Sequence, residues 1–227
     1  MNDDEIFESL AHLVATGEYL DDMLGLPGVD LDGGGAFRGA VNRARWRRIY
    51  QRRSSRYLAA KASGWIEFYP PLEVATPAAV EEAEELAGVT LPPLLRRLYL
   101  EVGNGGFGPG YGLAGLRNGH HAGEATASLA GRRRSDVGPR IPMILCHWGC
   151  GITSTIDLAD GQIWGSDPNP GPADVSCEFP QGMTISEWFA LWLENRLYQP
   201  WLLEDDSTGQ WRGATLEDYE NMLATEG

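Results

Sequence analysis

The sequence predicts an α+β fold: a mainly antiparallel sheet flanked by helices, preceded by an N-terminal helical arm. Three observations carry this. The candidate elements run helix pair, helix pair, strands, helix, without the regular βα alternation of a doubly wound fold. The strand candidates are short, rich in Ile, Thr and Trp, and joined by an Asp-Gly turn. The helix candidates open on recognisable capping residues.

Apolar residues at Ile6, Phe7, Leu10, Leu13, Val14 and Leu20 follow helical spacing over Asp3–Leu24. A Gly/Pro/Asp-rich break spans Gly25–Gly35. Phe37–Ala62 then reads as a long helix with Phe37, Val41, Ala44, Ile49, Tyr57 and Leu58 on one side. Residues 1–37 hold nine acids and no base, and residues 38–61 hold nine bases and no acid. That reversal predicts an antiparallel helix pair of matching charge, so residues 1–62 are read as the arm.

Trp65–Tyr69 is strand-like and is closed by Pro70 and Pro71. Thr76-Pro77 supplies an N-cap and a first-turn proline, and Gly88 ends that helix. Pro92–Val102 is a second helix with Leu94, Leu95, Leu98 and Tyr99 inward, stopped by Gly103-Asn104-Gly105-Gly106. Residues 117–140, with Arg132, Arg133 and Arg134, read as an insertion. Ile141–Cys146, Ile152–Leu158 and Gln162–Gly165 are strands, the last two joined at Asp160-Gly161. Thr184-x-x-Glu187 is a capping box opening a helix through Leu197, and Thr215-x-x-Asp218 opens a short terminal one.

The segment Thr76–Leu116, a short helix, Leu-Pro, a second helix and Asn-Gly-Gly, resembles the SUKH superfamily. That group holds the Smi/Knr cell-wall regulators of yeast and many bacterial immunity proteins. Ile141–Asn169, with its Trp-Gly and closing Asp-Pro-Asn, is similar to the family's central hairpin. The helix from Thr184 falls where the family's last helix would. The resemblance covers residues 63–198, and the domain is taken as 63–200, followed by an acidic tail at 201–227. It implies a mixed binding scaffold without catalytic machinery, used to neutralise a cognate toxin or as a regulatory adaptor.

The charges bear on the partner. The 227-residue chain carries a formal net charge of −14, and residues 141–227 contribute fourteen acids against Arg196 and Arg212. That field repels nucleic acid and attracts basic protein surfaces. The expected partner is therefore a protein, a basic toxin domain. Trp201 and Trp211 flank Glu204, Asp205 and Asp206. They form the candidate partner-binding set, since aromatic anchors rimmed by charge suit an interface. The alternative reading is that both tryptophans pin the tail to the domain.

Other motifs read as structural. Gly103-x-Gly105-x-x-Gly108 has dinucleotide-fingerprint spacing but follows a helix instead of a strand. Asn104, Gly105 and Gly106 are read as a structural turn, Asn104 left-handed or bonded through its side chain. Cys146-His147-x-x-Cys150 lacks the two-residue spacing common in zinc sites, although His120, His121 and Cys177 could complete a set. No nucleophile-elbow motif accompanies the four histidines. Neither a cofactor nor catalysis is expected. Clustered arginines with Trp46, Tyr50 and Tyr57 offer a nucleic-acid stripe as a further alternative. The acidic start is unlike a signal peptide and no run nears the ~20 apolar residues of a span, so a cytoplasmic, non-membrane protein is expected.

Overall fold

Asn2 begins the first helix, α1 (Asp3–Thr16), as a full capping box with Glu5. The helix ends because Gly17 takes the left-handed conformation, φ 72°. A side chain there would lie 2.6 Å from the Tyr69 carbonyl oxygen, so only glycine fits. This is a computed structural model, and it describes residues 1–26, 47–120, 140–170, 175–205 and 207–226.

Among the described residues the expected pair of long helices does not form. After α1 the chain enters β1 (Asp22–Gly25), which pairs antiparallel with both β2 (Ile49–Gln51) and β3 (Ile66–Glu67). A short helix, α2 (Ser55–Ala62), starts at Ser54, whose side chain accepts from the Tyr57 N–H. The stretch read as one helix is interrupted at Arg53, φ 70°, a conformation no helix interior permits. Its first part, up to residue 46, lies outside the described residues. Met23, Tyr50, Tyr57, Ala60 and Ile66 make a small core of their own.

The middle of the chain follows the sequence signals. Thr76 caps α3 (Pro77–Ala87) and Gly88 ends it at φ 72°. After it come α4 (Pro93–Glu101) and, over residues 102–120, a loop folded back on itself. A four-stranded antiparallel meander follows: β4 (Pro142–Gly149), β5 (Ile152–Asp157), β6 (Gln162–Ser166) and β7 (Glu178–Thr184), in that order. The Asp160-Gly161 turn joins β5 to β6, with Gly161 at φ 78°.

The capping box of Thr184 and Glu187 opens α5 (Ile185–Leu193). Residues 201–227, expected to be a tail with one short helix, also contain a hairpin. It pairs β8 (Leu202–Glu204) with β9 (Trp211–Gly213) and leads into α6 (Leu216–Glu226). Helices α1, α3, α4 and α5 supply Ile6, Phe7, Leu10, Val80, Leu95, Leu98, Trp188 and Phe189 to one core. The sheet answers with Met143, Leu145, Ile156 and Ile163. Since α1 shares this core, residues 1–16 belong to the main body. The coarse fold class, α+β with antiparallel sheets, stands.

A polar clasp ties the N-terminal sheet to α5. Trp192 Nε1 donates to Asp21 Oδ1 at 2.7 Å, and the Arg52 guanidinium lies 4.2 Å from the Trp192 ring centroid. Arg52 reaches Asp21 at 3.9 Å and Arg53 donates to the Leu193 carbonyl. Burial pushes the Arg52 guanidinium down to about 10, so it stays charged at neutral pH.

Candidate functional site

The register of β7 shapes a surface groove in the acidic part of the chain. Thr184 pairs with Gln162 and Pro180 with Trp164, so Gln181, Gly182 and Met183 together face the single residue Ile163. The strand must bulge there, and Gly182 accommodates the bend at φ 66°. The bulge stands off from α5 and from the corner where β9 turns into α6. Between them lies a groove of about 430 Å³.

The groove has an apolar floor and carboxylates along one wall. Met183, Leu191 and Leu216 line it, with Tyr198 at its base. Tyr198 is 3% exposed and stacks on Tyr219 at 5.8 Å between centroids. Burial, together with Asp218, raises the Tyr198 hydroxyl above its ordinary range, so it remains a neutral phenol. Glu187 and Glu194 supply the negative charge. Glu187 Oε2 accepts from the Thr184 N–H at 2.8 Å and the Thr184 hydroxyl at 2.9 Å. Those bonds hold the carboxyl below its usual value, so it is ionised at neutral pH. Glu194, just past α5, has a half-exposed side chain and meets Arg196 at 3.5 Å. Gln181 also lines the groove, and both its amide nitrogen and its amide oxygen are shielded from solvent without a partner.

The two bases nearby are already engaged. Arg196 meets Glu220 at 3.2 Å as well as Glu194. Arg212 grips Asp218 with both terminal nitrogens, at 2.6 and 2.9 Å. The groove wall itself contributes no base.

The residues singled out from the sequence lie beside this groove without lining it. Trp201 is half-buried against the core, 6.5 Å from the Tyr219 ring, and its carbonyl accepts from Ala214 N–H. That packing fastens the hairpin to the body. Trp211 is half-buried on β9, directly opposite the exposed Glu204 on β8. Asp205 closes the hairpin turn by accepting from Ser207 and Thr208, and these bonds lower its carboxyl. Asp206 lies outside the described residues.

The Asn104 turn is bonded through its side chain. Asn104 Oδ1 accepts from Leu116 N–H at 2.7 Å and Nδ2 donates to the Arg117 carbonyl at 3.1 Å. Gly105 and Gly106 follow at φ 78° and 86°. A Cβ on Gly105 would sit 2.4 Å from the Leu113 carbonyl oxygen. The glycine spacing thus serves the close folding of the loop that follows α4. A second cavity of about 550 Å³ adjoins this turn, and there Arg117 is bonded to Glu82 at 3.0 Å.

Cys146 is buried and its thiol is raised by burial, whereas Cys150 is exposed at φ 50°. Burial lowers the His147 imidazole. Among the described residues no three His, Cys, Asp or Glu side chains converge as metal ligands, and His121 lies outside them. Among the same residues no helix is long and apolar enough to cross a membrane.

No family model matches the chain, and neither does any curated protein or solved structure. Nothing in the sequence singles out Gln181, Glu194 or Tyr198, and Glu187 reads there only as a cap. The groove exists because β7 bulges against β6, and register between strands carries no local signature.

Proposed function

We propose that the chain is a non-catalytic binding protein that holds a basic protein partner in the acidic groove beside α5. The partner is a cognate toxin domain blocked by stoichiometric binding. One observation carries the binding reading: an apolar-floored groove with two carboxylates and no base, in the half of the chain that holds the surplus of acid. The resemblance of Thr76–Leu116 to SUKH immunity proteins supports the toxin; a regulatory adaptor would use the same surface.

The nucleic-acid reading loses its support where the basic segment is described. It is not one helix, and Arg47 meets Glu67 at 2.5 Å while Lys61 meets Glu18 at 2.6 Å. Arg52 is buried in the clasp. A continuous phosphate-tracking stripe requires exposed bases on one face.

The test is affinity capture from the native cell followed by binding kinetics on the purified partner. The expected partner is basic and binds one to one. Its association slows several-fold between about 20 and about 150 mM salt, as the Debye length shortens. Glu194→Arg weakens it further. A partner that is not basic, or a rate indifferent to salt, would remove the proposal.

A further inference from the structure

We infer that the groove is a recognition pocket for an arginine side chain presented by the partner, which deepens the function proposed above and rests on it. The argument starts from what the groove lacks. Gln181 holds an amide oxygen and an amide nitrogen away from solvent, and neither is satisfied. Such orphaned groups cost stability in the free protein. A ligand that draws the amide round into the groove, and supplies a donor for its oxygen and an acceptor for its nitrogen, removes that cost.

A peptide-borne arginine supplies both. Its guanidinium has five N–H donors in a planar fork, and its backbone carbonyl is an acceptor. The rest of the groove matches the same side chain. Met183, Leu191 and Leu216 offer an apolar bed for the three-carbon stem. Glu187 and Glu194 are seven residues apart, hence about 10 Å along the helix direction, so one fork meets one of them. Glu187 Oε2 is taken by Thr184, so Oε1 is the oxygen left to meet an incoming donor. Arginine is favoured over lysine on two grounds. Its fork can bridge a carboxylate and the Gln181 oxygen at once, and its weaker hydration makes an apolar-floored groove less costly to enter. An anion or a carboxylate-bearing ligand is disfavoured by the same two glutamates.

The probes are N-acetyl-arginine N-methylamide and its lysine counterpart, titrated into the full chain and followed by amide chemical shifts. The arginine probe is expected to saturate, to move the Gln181 side-chain resonances and those of residues 190–194, and to bind at least about fivefold tighter than the lysine probe. Gln181→Met should reduce that preference to near unity. Glu194→Gln or Glu187→Gln should weaken the arginine probe several-fold, and the latter retains a capping-box residue so the helix start survives. Unchanged circular dichroism confirms that each variant is folded.

Equal affinities for the two probes, or an arginine preference untouched by Gln181→Met, would overturn the assignment. So would shifts spread over the acidic face without saturation. A basic partner captured alongside equal probe affinities would sink the arginine pocket and leave the proposed function standing. Arginine selectivity alongside a non-basic partner would do the reverse.

Discussion

Replacing Asp21 by alanine tests the clasp that holds the N-terminal sheet to α5. The change deletes the acceptor of the 2.7 Å Trp192 hydrogen bond and of a bond from the Gly110 N–H. It also leaves Arg52, with 4% of its side chain exposed, without the carboxylate 3.9 Å away. A hydrogen bond to a charged acceptor contributes about 1.5–3 kcal/mol. Breaking a fully buried ion pair costs about 3–5 kcal/mol. Here 35% of the Asp21 side chain still meets solvent, and the pair is long, so solvent screening cuts that figure sharply. The expected loss is about 2–3 kcal/mol in urea unfolding followed by circular dichroism. Arg52→Met in the same background should recover part of it, because the stranded charge is then gone. A coupling of about 1 kcal/mol is expected between the two sites. Strict additivity, or a loss under about 0.5 kcal/mol for Asp21→Ala, would refute the clasp. A pH signature accompanies it. Burial raises the Asp21 carboxyl above its unfolded value. Desolvation outweighs the clasp contacts in this balance. Stability is therefore greatest below the unfolded pKa, where the carboxyl is neutral in both states, and declines as pH rises through the folded one and the buried charge forms. Asp21→Asn should abolish that decline.

Asp218 titrates with the opposite sign. Arg212 and the Thr215 cap hold its carboxyl far below the ordinary range. Its contribution is thus present above the unfolded pKa and lost as pH falls toward the folded one. Asp218→Asn should flatten the acid limb of stability against pH and cost about 1 kcal/mol or less at neutral pH, since the amide can still serve the Thr215 capping box and only the exposed Arg212 charge pair is lost. Two glycines separate backbone strain from steric clash in thermal unfolding. Gly88→Ala has φ 72° and nothing within 4 Å of its Cβ, so about 1 kcal/mol is expected from conformation alone. Gly105→Ala, at φ 78°, would press its Cβ to 2.4 Å from Leu113 O and 2.5 Å from Gly115 N, neither of which can swing aside. It should cost about 3 kcal/mol or more; equal effects at the two sites would show that the Asn104 loop is not tightly closed.

The elements that were legible are those whose signals are local. Thr76-Pro77 with Gly88 fixed α3, Asp160-Gly161 fixed the β5–β6 hairpin, and Thr184 with Glu187 fixed the start of α5. The N-terminal sheet was not legible, because β1, β2 and β3 are four, three and two residues long. Over so few residues, apolar positions fit period 2 and period 3.6 equally well. The charge reversal nonetheless carried real information. Glu18 meets Lys61 and Asp21 meets Arg52, so the acidic segment does face the basic one, but through a sheet and a single short helix. The groove was hidden for a different reason. Gln181, Gly182 and Met183 acquire their meaning only from the register of β7 on β6, a relation between residues distant in the chain.

The distribution of ion pairs bears on the acid surplus of residues 141–227, of which only Asp157 and Asp167 are buried among the described residues. Both bases after residue 141 are spent on neighbours: Arg196 on Glu194 and Glu220, Arg212 on Asp218. Such exposed pairs contribute little to stability, typically under about 1 kcal/mol each. Arg140 also meets Glu178 from outside the segment, yet fourteen acids against so few bases still leave a residual negative field. Self-repulsion of that kind destabilises a compact chain. The fold carries the cost where α5 and the terminal hairpin frame the groove, and the cost is relieved when a partner brings the missing positive charge. A neutralised variant, with Glu194 and Glu220 both changed to Gln, should then be no less stable than the parent while losing partner association rate. A variant that unfolds instead would mean that the acids are structural and the field incidental.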